Sequence, residues 1–274
     1  MSEQLGPLVT AQWLHDHLGE PDLRVIDFRW YLSGKSGQTE YVRGHIPGAV
    51  FVDLEDVTGE GPGRHPLPSR GEFEAAMRAA GVSARTRVVT YDGSGGSVAA
   101  RLWYLLRLFG HSAQAVLDGG IQAWGGPLEE GKVGVSRGDF VAQPPDTSRI
   151  VDFEDVVALG GVPVIDSRAG ERYRGETEPI DPKKGHIPGA RNAPFAGNLD
   201  DQGRFKSKDE LRRRFAELGV EQGEGVVVYC GSGVNACHNL LALELAGITD
   251  GRLYAGSWSD WSHRDAPVAT GPNP

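Results

Sequence analysis

A cysteine at the carboxyl end of an apolar run, followed by a glycine-rich turn, is a candidate nucleophile. Val226–Tyr229 leads straight into Cys230-Gly231-Ser232-Gly233-Val234-Asn235-Ala236, and the apolar stretch through Leu240–Ala246 then reads as a helix. Backbone N–H groups of such a turn converge on the sulfur, and a helix N-terminus adds partial positive charge, so thiolate is available near neutral pH. The plainer alternative is a small buried hydrophobe, since free cysteine is among the most buried residue types. An earlier loop bears on the choice: Tyr91-Asp92-Gly93-Ser94-Gly95 has the same pattern with Asp92 where Cys230 stands. There the turn is retained and the reactive atom is lost, which implies one working site and one copy kept for architecture.

The elements that must position this loop occur twice. Val25–Arg29 recurs as Val164–Arg168, Gly44–Ala49 (GHIPGA) as Gly185–Ala190, Val88–Asp92 as Val226–Cys230, and Gly119–Trp124 as Gly256–Trp261. Four matches in order, at a nearly constant offset, identify a duplicated domain. Val25–Asp27, Val88–Tyr91, Val164–Asp166 and Val226–Tyr229 read as buried strands. Ser69-x-x-Glu72 and Ser207-x-x-Glu210 are capping boxes for helices ending near Gly81 and Gly219. Strands alternating with helices imply an α/β fold, each domain a mainly parallel sheet flanked by helices, with chemistry at the carboxyl ends of strands. The polar, Pro/Gly-rich stretch Gly131–Ser148, with Pro144-Pro145 inside it, marks the boundary. The expected organisation is a non-catalytic domain over 1–140, a linker over 141–148 and a catalytic domain over 149–274.

Composition excludes several classes. With 274 residues, 39% hydrophobic and 24% charged, the chain can bury a real core. Its longest apolar runs fall well short of the roughly 20 residues of a membrane span. The start, MSEQLGPLVT, lacks the basic and apolar regions of a signal peptide, so a cytoplasmic location is expected. Two cysteines cannot make a disulfide scaffold, and no Cys/His run has zinc spacing. Twenty-eight Lys plus Arg against 37 Asp plus Glu argue against nucleic acid as a partner.

On the two GHIPGA motifs, Asp118–Trp124 (DGG…W), Asp166-Ser167-Arg168 with Arg172-Tyr173-Arg174-Gly175, and Cys230–Val234 (CGSGV), the chain resembles the tandem-domain rhodanese-like sulfurtransferases. That family comprises thiosulfate sulfurtransferase and 3-mercaptopyruvate sulfurtransferase. The resemblance covers nearly the whole chain. It implies that Cys230 takes the sulfane sulfur of a small-molecule donor as a persulfide and passes it to cyanide, a thiol or a thioredoxin-like acceptor, in a two-step covalent reaction. No metal or cofactor is implied. Arg172 matches an arginine that binds the donor anion, a role suited to a planar guanidinium; a solvated salt bridge is its plainer reading. Trp30 matches a tryptophan lining the donor pocket, with core packing as the alternative. Gly231, Gly233, Val234 and Asn235 complete the loop around the donor.

The resemblance also bears on the donor. The residues after Cys230 are Gly231 and Ser232, as in the mercaptopyruvate branch, and not the basic side chains that attract the thiosulfate dianion in rhodanese proper. That branch uses a serine–histidine–acid relay, matched here by Ser232, His65 and Glu55. Histidine suits it because its pKa lies near working pH and an acid partner fixes its tautomer. Otherwise His65 is a loop histidine and Glu55 a surface acid. Two positions depart from the family. Its second donor-binding arginine follows a Glu-Pro pair, whereas Glu178-Pro179 is followed here by Ile180 and Asp181, so one arginine suffices or Lys183 or Lys184 is recruited. Asn235 replaces a threonine and could cap the helix. Cys237 reads as a packed thiol in preference to a resolving one, and His238 and Asn239 as helix-surface or interdomain polar groups. The rivals are a phosphatase of the same fold, which needs an arginine where Ala236 stands, and a catalytically silent scaffold, against which Cys230 and Arg172 argue.

Overall fold

A computed structural model describes residues 5–274. Met1–Gln4, part of the stretch read above for a signal peptide, lie outside the described residues. The chain divides into two compact units. The first runs to Gly59 and adds Pro68–Pro145 and Gln202–Arg204; the second holds Glu60–Leu67, Asp146–Asp201 and Phe205–Pro274. Among the described residues no helix is long and apolar enough to cross a membrane.

In the first unit the strands are β1 (Leu8–Val9), β2 (Leu23–Asp27), β3 (Val50–Phe51), β4 (Arg87–Tyr91) and β5 (Gln114–Leu117). The helices are α1 (Ala11–His17), α2 (Gly37–Arg43), α3 (Arg70–Ala79), α4 (Ala99–Leu108) and α5 (Gly120–Trp124). All strand pairs are parallel, in the order β1-β5-β4-β2-β3. The second unit repeats this with β6 (Ile150–Val151), β7 (Val164–Asp166), β8 (Arg191–Asn192), β9 (Val226–Tyr229) and β10 (Gly251–Tyr254) in the order β6-β10-β9-β7-β8. Its helices are α6 (Phe153–Val157), α7 (Gly170–Tyr173), α8 (Lys208–Glu217), α9 (Ala236–Leu245) and α10 (Ser257–Trp261). Both capping boxes form, at Ser69/Glu72 and Ser207/Glu210. The central strands β4 and β9 are buried throughout and so are unbroken apolar runs.

The repeated motifs do the same structural work in each unit. Arg168 Nε donates to both oxygens of Asp166 (3.1 Å each) and its Nη2 to the Gly185 carbonyl (2.6 Å), which ties the end of β7 to GHIPGA. His186 stacks on Tyr173 at 3.7 Å, and the Ile187 N–H donates to Tyr229 Oη (3.1 Å). Arg29, Asp27, Gly44, His45, Tyr41, Ile46 and Tyr91 reproduce these contacts in the first unit. The carboxylates, guanidinium groups and tyrosine hydroxyls of these clusters are mutually paired, while Nε2 of His45 and of His186 is buried without a hydrogen-bond partner, and the pairing fixes the strand ends on which the loops are built.

One segment departs from the expected division. The sequence places Glu60–Leu67, and with it His65, in the N-terminal domain, yet it packs with the second unit. Gly63, at φ 88°, lies so close to the turn before α10 that a Cβ there would come within 2.7 Å of the Gly256 carbonyl oxygen. The Arg64 N–H then donates to Ser259 Oγ (3.0 Å). A side chain at position 63 would both strain the backbone and push the segment away.

Candidate active site

Cys230 stands at the carboxyl end of β9, the middle strand of its sheet, only 4% exposed. Its backbone is clamped from the turn before and into α10. The Cys230 N–H donates to Ser257 Oγ (3.1 Å), and the Cys230 and Gly231 carbonyls accept from the N–H groups of Trp258 (3.0 Å) and Ser259 (2.9 Å). Ser257 is the one non-glycine residue at positive φ among those described, at 53°. That conformation costs about 1–2 kcal/mol and persists because Ser257 Oγ also donates to the Tyr254 carbonyl (2.8 Å).

The first unit reveals what the loop is built to hold. Asp92 occupies the corresponding strand end and is 1% exposed. Its Oδ1 accepts from the N–H groups of Ser94 (2.7 Å) and Gly96 (2.9 Å), and its Oδ2 from those of Val98 (2.7 Å) and Ala99 (2.9 Å). The loop is thus a cradle of N–H donors, filled there by a carboxylate of the chain itself. In the second unit the turn is repeated at Gly233 (φ 77°, against 64° at Gly95), but the loops then part. Gly96 keeps a positive φ (86°), which Val234 does not share. Among the described residues, the N–H groups of Ser232 and Val234 donate to no backbone carbonyl. They lie between Cys230 and the N-terminus of the ten-residue α9.

Ser232, at 8% exposure, shares a 2.8 Å hydrogen bond between its Oγ and Nδ1 of His65, at 7%. Arg172, on α7, is half-buried. Its Nε and Nη2 donate to Glu178 (3.2 and 2.6 Å), and Nη2 also reaches Asp181 (3.4 Å). Arg64 Nη1 donates to the same Asp181. Burial pushes the Asp181 carboxyl above the ordinary aspartate range, against the pull of Arg64. Glu178 is a buried hub that also accepts from Arg168 Nη1 (3.2 Å) and from the Ile180 and Asp181 N–H groups (3.2 Å each).

Of the expected site residues, Cys230, Gly231, Ser232, Gly233, Val234, Asn235, Arg172 and His65 therefore fall in one unit. Trp30, half-buried three residues beyond β2, and Glu55, exposed at the start of a 3-10 turn over Glu55–Val57, belong to the other. Some expectations need correction. Asn235 is helical and makes no side-chain cap. Lys183 is engaged elsewhere, with Nζ donating to the carbonyls of Arg264 (2.6 Å) and Ala266 (3.4 Å). His238 and Asn239 are fully buried instead of lying on a helix surface. The Asn239 amide donates to Ser167 Oγ and the Ala193 carbonyl (2.8 Å each), while His238 stacks on Phe205. Cys237 is buried, and its thiol donates to the Gly233 carbonyl (3.3 Å). Arg64 went unnoticed. An isoleucine where a cation was sought, with an aspartate beside it at Asp181, was the signal to look for a cation elsewhere.

A duplicated α/β unit, with a cysteine at one central strand end and guanidinium groups beside the loop that follows it, defines a two-domain α/β protein with one distinctive loop. Residues 10–126 and 151–264 each match the Rhodanese-like domain, and the chain belongs to that family. It is 46% identical to a Pseudomonas aeruginosa protein named a probable 3-mercaptopyruvate sulfurtransferase, over 96% of this chain and 98% of that one. It is 39% identical to a Mycobacterium tuberculosis protein provisionally named thiosulfate sulfurtransferase SseB, over 93% of each. Among solved structures, the 3-mercaptopyruvate sulfurtransferase SseA of Escherichia coli superposes with a TM-score of 0.83 at 35% identity, over 92% of this chain and 98% of that one.

Proposed function

We propose that the chain is a cytoplasmic sulfurtransferase whose favoured donor is 3-mercaptopyruvate, with thiosulfate the poorer one. The observation that carries the donor preference is the Ser232–His65 hydrogen bond two residues from Cys230. The Cys230 thiolate attacks the donor's thiol sulfur, an S–S bond forms, and the C–S bond breaks with its electron pair left on carbon as pyruvate enolate. The enolate must gain a proton, and the nascent persulfide must lose one. Ser232 Oγ, hydrogen-bonded to the His65 imidazole, carries out that transfer. Thiosulfate needs no such step, because sulfite leaves as an anion. Cyanide, a thiol or a thioredoxin-like protein then attacks the outer sulfur and frees the thiolate. Arg172 binds the donor's carboxylate, and the loop from Gly231 to Asn235 surrounds the donor. Trp30 as pocket lining and Glu55 as the acid of the relay enter on family resemblance.

The test is steady-state kinetics with both donors, with intact mass measured after donor treatment in the absence of acceptor. The protein should gain the mass of one sulfur atom from 3-mercaptopyruvate; no gain from either donor ends the reading. His65→Ala should cut turnover with 3-mercaptopyruvate by about 10²-fold or more, in the range of general acid–base contributions, and thiosulfate turnover much less. Equal losses with both donors would remove the relay.

A further inference from the structure

Two guanidinium groups converge on one point beside the nucleophile. A Cβ built on Gly231 would lie 3.0 Å from Arg64 Nη2 and 3.5 Å from Arg172 Nη1. Gly231 is not at positive φ, so the absent side chain leaves room and is not a conformational need. Each arginine has its other edge committed: Arg172 through Nε and Nη2 to Glu178, Arg64 through Nη1 to Asp181. Among the described residues, Arg64 Nη2 and Arg172 Nη1 have no protein acceptor within hydrogen-bond distance. Asp181 is buried, with a side chain 1% exposed, whereas that of Arg64 is 29% exposed, so the carboxylate is the fixed member of the pair.

We propose that Arg64 is the second cation for the donor's anionic group and that Asp181 is the positioning residue that aims it. The assignment rests on the sulfurtransferase reading and deepens it. Where the family resemblance leads one to seek an arginine, the chain has Ile180, and the neighbouring Asp181 holds an arginine delivered by the Glu60–Leu67 segment. Two Nη groups already oriented by buried carboxylates form a fork for a carboxylate or sulfonate oxygen pair, and little rotamer freedom is lost when the donor arrives. The same segment carries His65, so one segment supplies both an anion contact and the proton relay.

The experiment measures KM and kcat for 3-mercaptopyruvate, with sulfur uptake by intact mass, in wild type, Arg64→Ala, Arg64→Lys, Asp181→Arg and the double exchange Arg64→Asp with Asp181→Arg. Arg64→Ala should raise donor KM about tenfold or more, with the loss carried mainly by KM, and Arg64→Lys should recover part of it. Asp181→Arg sets two like charges together and should be worse than the double exchange, which restores an ion pair and should return KM most of the way. The assignment is overturned if Arg64→Ala leaves KM within about twofold, or if the loss lies in kcat alone, as displacement of His65 would produce. It is also overturned if the double exchange does no better than Asp181→Arg. Wild-type protein that takes up no sulfur would instead overturn the sulfurtransferase reading, and this assignment with it.

Discussion

Cys230→Ser should take up no sulfur from either donor and lose at least about a thousandfold in kcat/KM, while unfolding within a few degrees of wild type. The substitution keeps the size and the hydrogen-bonding capacity of a side chain that is 4% exposed, so the fold has little to lose. What goes is the ionisable sulfur. A hydroxyl is far less acidic than a thiol, and donors able to favour a thiolate cannot make an alkoxide at neutral pH. Cys237 cannot take over. It is fully buried, and its thiol donates to the Gly233 carbonyl, a contact that requires the protonated form. Cys237→Ser should therefore still gain one sulfur on treatment with donor. Sulfur uptake that survives in Cys230→Ser and vanishes in Cys237→Ser would move the nucleophile from the strand end to the first turn of α9.

The parts of this molecule legible in the sequence are those set by local pattern. Apolar runs such as Val226–Tyr229 became buried parallel strands, and Ser-x-x-Glu became two closed capping boxes, because both signals act within a few residues. The duplication was legible because GHIPGA and Asp-x-Arg hold strand ends in both units, where exchange would leave buried polar groups unpaired. Their role is architectural, so they mark the family without marking the chemistry. The candidate for the chemistry was legible as a difference between the matched strand-end loops, Asp92 against Cys230.

What the sequence concealed depends on contacts between residues far apart in the chain. Arg64 meets Asp181 across 117 positions and His65 meets Ser232 across 167. No periodicity reports such pairs. The direction of packing was equally hidden for Asn239, whose polarity suggested a surface. Its burial follows from three partners, Ser167, Ala193 and Asn198, that only the folded unit assembles. A buried amide with its hydrogen bonds satisfied looks, in sequence, the same as an exposed one.

Asp92→Ala should lower the stability of the first unit by about 3–6 kcal/mol and its unfolding temperature by roughly 10 °C or more. Of the four N–H groups now donating to the carboxylate, those of Gly96, Val98 and Ala99 belong to buried residues and that of Ser94 to an exposed one, and truncation leaves them facing an apolar methyl. Each orphaned donor costs about 1–3 kcal/mol, less than additively because the loop can relax and admit water. Asp92→Asn, which keeps the shape but turns an NH2 toward two of the donors, should be nearly as damaging. A shift below about 2 °C for both variants in a thermal melt would mean the cradle carries little energy. A large shift would bear directly on the other unit. On the proposed reading, the matching N–H groups of the second unit would serve a Cys230 thiolate, and the persulfide formed from it, as these serve the Asp92 carboxylate. The first copy has sealed its loop with its own side chain, and the second leaves that place to the chemistry.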